Sequence, residues 1–258
     1  MFESHILGWV AEFMVKKERL DKLLVDQGLV QSRERARALI LAGKVVVDDH
    51  RVDKAGSRID VDAELRVKGD DIPYVSRGGL KLEKALQVFP VDPNGRVAID
   101  VGASTGGFTD CLLQHGASRV FAVDVGYGQL AWQLREDPRV INLERCNIRN
   151  LNPGQLDVRP TLAVIDASFI SLAKVLPPAL ALLADQAEIL ALIKPQFEVG
   201  RGRVGKGGVV RDAELQQQVI ETIKILAQSL GCKVGGVTES PILGPSGNRE
   251  FLIYLQKG

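Results

Sequence analysis

The chain has 258 residues, of which 45% are hydrophobic and 25% charged, and its formal net charge at pH 7 is +1. This length and apolar content allow a full hydrophobic core and more than one domain. A near-neutral chain has no overall field that attracts nucleic acid, so such affinity must come from local basic patches. No apolar run approaches the roughly 18 residues of a transmembrane helix. We therefore expect no membrane partner.

The three cysteines, Cys111, Cys146 and Cys232, are scattered along the chain and form no C-x-x-C pair. This usage fits a reducing compartment and argues against a disulfide framework or a zinc site. The three histidines are also far apart in the sequence. We therefore expect a cytoplasmic protein without a bound metal.

The first fifteen residues lack the basic start and the long apolar centre of a secretory signal. A lysine-rich segment follows Met14 directly, and a domain begins there. We interpret residues 1–15 as a disordered extension or as the product of a start codon assigned too early.

Residues 16–72 have the pattern of a small α+β domain. The pattern predicts helices at 19–25 and 32–42, which lead to Gly28 and Gly43, and strands at 44–47, 51–52 and 65–67. From Lys16 to Lys44 there are eight basic and four acidic residues, a net charge of +4. One face should therefore be basic and contact RNA phosphates. The alternative is an ordinary solvated helix face.

The run R-L-D-K-L-L-V-D-Q-G-L-V-Q-S-R-E-R-A-R-A-L-I-L-A-G-K-V-V-V-D begins at Arg19 and resembles the RNA-binding domain named after the fourth small-subunit ribosomal protein. Domains of that type grip structured RNA with the second helix and the strand after it. The resemblance implies RNA contacts for Arg33, Arg35, Arg37 and Lys44. We expect Arg19, Lys22 and Arg77 to be further RNA-binding residues.

Residues 73–80 contain proline, serine and paired glycines, which are typical of an interdomain linker. Beyond them, residues 81–258 alternate apolar strands with helical stretches. Strands are predicted at 97–101, 119–124, 139–143, 162–166, 188–193, 233–238 and 250–255, and helices at 80–86, 109–115, 129–136, 172–184 and 212–230. This alternation predicts a Rossmann-like, doubly wound α/β sheet with helices on both faces. A final hairpin through residues 244–248 adds an antiparallel strand.

The segment 99–110 is the most informative, because a β-branched strand runs into a glycine-rich turn and then into a helix. Such a turn brings a ligand against bare backbone N–H groups and the positive end of a helix. The spacing G-x-x-x-G-G differs from the dinucleotide-binding pattern. The residues expected to surround a cofactor here are Asp100, Gly102, Ala103, Ser104, Thr105, Gly106, Gly107, Phe108 and Thr109.

A second acid, Asp124, ends the next strand at the distance in sequence where a Rossmann unit places its ribose-binding carboxylate. We expect Asp124 to bind the hydroxyls of an adenosine ribose. The acids Asp100, Asp110 and Asp124 argue against a polyphosphate and favour a cationic or zwitterionic adenosine compound such as S-adenosylmethionine. Asn147 is expected near the adenine, although an asparagine there is as often a turn former.

Three other strand ends carry charged residues, Asp166, Lys194 and Glu250. Each alone could cap a strand in solvent, but together they lie on the edge where ligands bind in open α/β sheets. The region resembles methyltransferases of the FtsJ/RrmJ type, which modify ribose 2′-hydroxyls with a Lys-Asp-Lys-Glu tetrad. The resemblance maps this tetrad onto Lys81, Asp166, Lys194 and Glu250.

With the amino-terminal domain included, residues 16–258 resemble the TlyA family of ribosomal RNA 2′-O-methyltransferases, long labelled haemolysins. The motifs that carry the resemblance are V-S-R-G-G-L-K-L, I-D-V-G-A-S-T-G-G-F-T-D, K-P-Q-F-E and G-N-R-E-F-L. The resemblance implies methyl transfer from S-adenosylmethionine to a ribose 2′-hydroxyl of cytidine in ribosomal RNA, with ribosomal subunits as partners.

A ribose hydroxyl is a weak nucleophile, so a lysine that orients it and accepts or stabilises its charge would promote the transfer. We expect Lys194 to have this role and Asp166 to position the Lys194 amine. Lys81 and Glu250 are expected to hold the ribose. Glu198, close to Lys194 in sequence, competes with Glu250. We prefer Glu250 because it matches the family pattern.

Two functions of other classes stay open at this point. A membrane-active haemolysin would need a signal, a spanning segment or a strongly amphipathic cationic helix, and the sequence contains none of these. A non-catalytic ribosome-binding or assembly factor would use the same RNA surface, but the intact tetrad argues against it.

Overall fold

The computed structural model describes residues 17–30, 32–48, 50–68, 72–200 and 202–258. The chain divides into two compact units, Met1–Asp71 and Ile72–Gly258. The interpretation of residues 1–15 as an extension lies outside the described residues.

The first unit is an α+β domain with a small apolar core. Its elements are β1 (Lys17–Arg19), α1 (Leu20–Asp26), α2 (Arg33–Leu41), β2 (Val45–Val47), β3 (His50–Arg51), β4 (Arg58–Asp60) and β5 (Leu65–Val67). Strand β1 pairs antiparallel with β4, and β2 pairs antiparallel with both β3 and β5. The core packs Leu20 and Leu24 of α1 against Ile40 of α2 and Val45 of β2, all without exposed surface.

Two details of this unit differ from the sequence-based prediction. Arg19 ends strand β1, and helix α1 begins one residue later, at Leu20. Strands β1 and β4 were not predicted, because K-E-R and R-I-D have no apolar run that would indicate a strand. Ser32 caps α2, since its side chain accepts a hydrogen bond from the backbone N–H of Arg35.

The second unit is built on a seven-stranded sheet, counted over the described residues. Its strands are β6 (Val97–Val101), β7 (Arg119–Val123), β8 (Val140–Leu143), β9 (Leu162–Ile165), β10 (Ala187–Ile193), β11 (Cys232–Glu239) and β12 (Phe251–Lys257), in the order β11-β12-β10-β9-β6-β7-β8. Strand β12 is antiparallel to both neighbours, and the pairs from β10 to β8 are parallel. The predicted strands and the antiparallel final strand are confirmed.

The helices of this unit are α3 (Gly78–Val88), α4 (Gly107–Gln114), α5 (Trp132–Arg135), α6 (Leu172–Leu182), α7 (Pro195–Glu198) and α8 (Ala213–Ser229). Helix α3 begins at Gly78, inside the segment interpreted as a linker. Helix α5 is only one turn of the stretch predicted at 129–136, and α7 was not predicted. Short 3-10 helices lie at 148–150, 153–155, 206–208 and 245–247.

Helices cover both faces of the sheet, because alternate residues of each strand point to opposite sides. Ile99 packs in one apolar cluster with Leu176 of α6 and Ile223 of α8. Its neighbour Ala98 packs in the other cluster with Leu82 of α3 and Leu112 of α4. This is the doubly wound arrangement that the alternation of strands and helices predicts. The carboxyl ends of the parallel strands therefore meet at one edge.

Along the described ranges, no helix is long and apolar enough to cross a membrane.

Candidate active site

The four residues of the predicted tetrad form two short ion pairs. Lys81 Nζ lies 2.6 Å from Glu250 Oε2, and Lys194 Nζ lies 2.6 Å from Asp166 Oδ1. The topology explains the meeting, because Asp166 and Lys194 follow the parallel strands β9 and β10. Glu250 precedes the antiparallel strand β12 and therefore lies at the same edge, where Phe251 pairs with Ile193.

Three of these charged groups are almost completely buried. Lys81 and Lys194 are each 6% exposed and Glu250 is 0% exposed. A buried charge is costly unless an opposite charge or hydrogen bonds compensate it. These side chains can therefore be buried at the sheet edge only as pairs. Gln196 Nε2, at 3.5 Å, approaches the second oxygen of Glu250. The site therefore holds two desolvated lysine amino groups in fixed positions.

Glu198, the competitor of Glu250, has a different set of contacts. Its carboxylate accepts hydrogen bonds from Ser171 Oγ at 2.6 Å and from the Leu172 backbone N–H at 2.8 Å. Burial raises the pKa of Glu198. It therefore caps helix α6, whereas Glu250 is paired with Lys81.

The glycines of the loop between β6 and α4 allow its neighbours to come close. Gly102 has a φ of +90°, and a Cβ there would lie 2.8 Å from the carbonyl oxygen of Asp166. A Cβ on Gly107 would overlap Ser76 Oγ and lie 2.8 Å from the backbone nitrogen of Gly79, at the start of α3. Gly102 packs against Asp166, and Gly107 packs against α3, which carries Lys81. The glycine loop therefore helps to position two residues of the tetrad.

A cavity of about 510 Å³ opens beside this loop. Its walls come from the ends of β6, β7 and β9 and from the segment after β8. The predicted cofactor residues that line it are Gly102, Ser104, Asp124 and Asn147, with Asp166 at its side. Asp100, Ala103, Gly106, Gly107, Phe108 and Thr109 are buried in the loop and its supporting layer, and Thr105 is exposed.

Sequence reasoning missed several residues that line the cavity. They are Val125, Gly126, Gln129, Ser168, Phe169 and Ile170. The signal was available, because these residues directly follow or lie close behind Asp124 and Asp166. The walls are completed by apolar side chains such as Val101, Val123 and Ile148.

Asp124 and Asn147 both hold the backbone around the cavity. The two carboxylate oxygens of Asp124 accept hydrogen bonds from the backbone N–H of Ser104 at 2.8 Å and of Gly126 at 2.6 Å. Asn147 Oδ1 accepts the backbone N–H of Arg149 at 3.1 Å and so caps the short helix 148–150. Asn147 therefore forms a turn as well as lining the cavity.

Asp100 supports the loop from below. It is 0% exposed, and Thr109 Oγ1 donates a hydrogen bond to its Oδ2 at 2.7 Å. Its Oδ1 has no hydrogen-bond partner within the described part of the chain. Burial raises the pKa of Asp100 to about 7, and the nearby negative charges of Asp166 and Asp124 add to the shift.

In the first unit, three of the arginines expected on RNA share one carboxylate. Arg19, Arg33 and Arg37 lie 2.9, 3.0 and 3.1 Å from the oxygens of Asp21, whose side chain is fully buried. Hydrogen bonds from these guanidinium groups, led by Arg19, hold the pKa of Asp21 well below its usual range. The outer parts of the arginines remain about half exposed.

The other expected RNA contacts have separate surroundings. Lys22 pairs with Glu18 at 2.7 Å. Lys44 is exposed, and Arg35 is partly exposed. In the second unit, Arg77 is exposed and donates a hydrogen bond to the carbonyl oxygen of Leu243 at 3.3 Å. Among the described residues, no group of three or more His, Cys, Asp or Glu side chains could hold a metal ion.

Comparison with known proteins identifies the family. The family model of the FtsJ-like methyltransferases matches residues 74–257, and the S4 domain model matches residues 18–65. This chain is an FtsJ-like methyltransferase. Its matched region contains the paired tetrad and the glycine loop, and the S4 match contains the arginines around Asp21. The resemblance stated from the sequence motifs is confirmed.

Similar proteins cover nearly the whole length of this methyltransferase. It is 51% identical over 241 residues to YqxC of Bacillus subtilis, covering 93% of this chain and 86% of the relative. It is 48% identical over 244 residues to the 16S/23S rRNA (cytidine-2′-O)-methyltransferase TlyA of Mycobacterium tuberculosis, covering 94% and 91%.

A solved structure from Streptococcus thermophilus, named a hemolysin, matches with 48% identity and a TM-score of 0.74, covering 94% of this chain and 89% of that one. The hemolysin name thus occurs among relatives of the same methyltransferase family.

Proposed function

We propose that this methyltransferase transfers a methyl group from S-adenosylmethionine to a ribose 2′-hydroxyl of cytidine in ribosomal RNA. The observation that carries the proposal is the arrangement of Lys81, Asp166, Lys194 and Glu250 as two buried ion pairs at the edge of the sheet. The name of the mycobacterial relative supports the choice of cytidine and of ribosomal RNA.

The cavity beside the glycine loop fits an adenosine compound better than a polyphosphate. Its volume lies in the range of small-molecule sites. Its walls are apolar apart from loop groups, the two carboxylates Asp124 and Asp166, and a few polar side chains. Among the described residues that line it there is no lysine or arginine. We assign Gly102, Ser104 and the loop behind them to the methionine part, Asp124 to the ribose and Asn147 to the adenine. When bound, S-adenosylmethionine supplies a methyl group on a positively charged sulfur.

Lys194 is the residue that acts on the attacking hydroxyl. Its Nζ is buried and held by Asp166, so it can orient the ribose oxygen. In its neutral form the amine can receive the proton that this oxygen loses as the new C–O bond forms and the bond between the methyl carbon and the donor sulfur breaks. Lys81 and Glu250 hold the ribose in place. Much of the rate is expected from positioning two bound substrates, because no covalent enzyme intermediate is needed.

The S4 domain supplies the RNA contacts in this proposal. Arg33, Arg35, Arg37 and Lys44 lie on α2 and just before β2, and Arg19 joins Arg33 and Arg37 around Asp21. Guanidinium groups that are fixed on one side and exposed on the other are well suited to bind phosphate oxygens. Lys22 and Arg77 add exposed positive charge.

Methyl transfer to isolated ribosomal subunits tests the function. Radiolabelled S-adenosylmethionine is mixed with the subunits and with wild type or Lys194→Ala. We expect label in ribosomal RNA with wild type and at least about 100-fold less with Lys194→Ala, the usual contribution of a general base. Lys224→Ala is the matched control, because Lys224 pairs with Glu221 at the surface of α8. Equal incorporation by wild type and Lys194→Ala would show that the mechanism is wrong.

A further inference from the structure

We propose that Ser168 is a positioning residue of this site, which fixes the direction of the Lys194 amine toward the substrate. The inference rests on the proposed function and adds a residue that the Lys-Asp-Lys-Glu tetrad does not contain. It deepens the account of Lys194 and leaves the roles of the other three residues unchanged.

The first observation is the contact between the two side chains. Lys194 Nζ lies 2.8 Å from Ser168 Oγ and 2.6 Å from Asp166 Oδ1. Ser168 lines the cavity and is exposed, whereas Lys194 is 6% exposed. The amine therefore has two partners, and both of them line the cavity.

The geometry of an amine gives this arrangement its consequence. A lysine ammonium has three N–H donors, and the neutral amine has two N–H groups and one lone pair. One N–H of Lys194 is donated to Ser168 Oγ, while the Asp166 carboxylate holds the amine through the ion pair at 2.6 Å. These two contacts fix the direction of the amine, and a remaining N–H or the lone pair is left for the substrate hydroxyl. With Asp166 alone, the amine could rotate about its long side chain.

The two lysines of the site differ in this respect. Lys81 donates a hydrogen bond to Glu250 at 2.6 Å, and this carboxylate is itself buried. Lys194 has a carboxylate and a hydroxyl as partners, and both Asp166 and Ser168 line the cavity. This difference supports Lys194 as the lysine that meets the attacking oxygen, with Ser168 as the group that aims it.

The loop around Ser168 is fixed at both ends. Asp166 continues the ladder of β9, since its backbone N–H bonds the carbonyl oxygen of Val101. Phe169 has a φ of +63°, which turns the chain directly after Ser168. Beyond the turn, Glu198 holds Ser171 and Leu172 through its two hydrogen bonds. Ser168 is therefore placed by the surrounding structure.

The test compares Ser168→Ala with Ser168→Thr, because threonine keeps the hydroxyl and the exposed position has room for a methyl group. Ser229→Ala is the control, since Ser229 bonds the carbonyl oxygen of Leu226 at the end of α8. Methyl transfer to ribosomal subunits gives kcat and the KM for RNA. Calorimetry gives the affinity for S-adenosylhomocysteine, a readout that does not depend on turnover.

We expect Ser168→Ala to lower kcat about 10- to 100-fold, the effect of losing a hydrogen bond to a charged group. The KM for RNA and the affinity for S-adenosylhomocysteine should stay within about twofold, because the lost interaction acts on the transfer step. Ser168→Thr should restore kcat to within about threefold of wild type.

Three results would overturn the inference. If wild type is active and Ser168→Ala has the same kcat, only the role of Ser168 is refuted. Equal losses in the alanine and threonine variants, together with weaker binding of S-adenosylhomocysteine, would show that Ser168 merely shapes the cavity. If wild type methylates no ribose, the proposed function fails, and the role of Ser168 fails with it.

Discussion

At the scale of single residues, the two buried carboxyl groups of Glu250 and Asp100 have different roles. Glu250 is buried beside Lys81 and carries its charge in an ion pair. Asp100 is equally buried but is hydrogen-bonded to Thr109, and burial raises its pKa to about 7. The protonated form of Asp100 suits this place under the loop, because its Oδ1 has no hydrogen-bond partner among the described residues and a buried charge there would be costly.

Asp100 should make stability depend on pH. Because its folded-state pKa is raised, its stabilising contribution is present below the ordinary carboxyl pKa of about 4 and is lost as pH rises through about 7. Asp100→Asn keeps the group neutral at every pH. We expect the melting temperature of Asp100→Asn relative to wild type to be at least about 3 °C higher at pH 8.5 than at pH 5.

Thermal unfolding at the two pH values measures this difference. Asp185→Asn is the control, because Asp185 is exposed and its substitution should have the same effect at both pH values. A relative melting temperature of Asp100→Asn that does not change with pH would contradict the account of Asp100.

At the scale of elements, two short motifs act by joining elements that are far apart in sequence. The glycine loop admits the carbonyl of Asp166 at Gly102 and the start of α3 at Gly107. In the S4 domain, Asp21 on α1 joins Arg19 of β1 to Arg33 and Arg37 of α2. Both motifs fix side chains that the proposed function uses.

Asp21→Asn tests the second of these junctions. We expect the free energy of unfolding of the S4 domain to fall by about 1–3 kcal/mol, because the buried side chain at position 21 becomes neutral and loses its ion pairs with the three arginines. The loss stays in this range because the half-exposed arginines can hydrogen-bond water instead. RNA affinity should fall as well, since the guanidinium groups lose their common anchor.

Hydrogen exchange of α1 and α2 in the full chain measures the stability, and filter binding of ribosomal RNA measures the affinity. The control is Asp26→Asn on the same helix, whose carboxylate is half exposed and lies 3.9 Å from Lys22. If Asp21→Asn and Asp26→Asn behave alike, Asp21 does not organise the arginines.

At the scale of the whole molecule, the sheet was predictable and the contacts between distant residues were not. Apolar β-branched runs that end in a charge, such as 162–166, identify buried strands of a doubly wound fold. The start of α3 at Gly78 was missed, because glycine is a poor helix former. The close contact at this point constrains Gly107, where an added Cβ would lie 3.2 Å from the Cα of Gly78. Likewise, no spacing in the sequence shows that Lys81 pairs with Glu250, or that Ser168 contacts Lys194.

Mapping of ribose methylation across ribosomal RNA tests the central claim most directly. Ribosomal subunits that lack the modification are treated with S-adenosylmethionine and either wild type or Lys194→Ala, and every 2′-O-methylated nucleotide is located. The account predicts new 2′-O-methylcytidine at defined positions with wild type and none with Lys194→Ala. Methyl groups on bases, or the same map with both proteins, would contradict it.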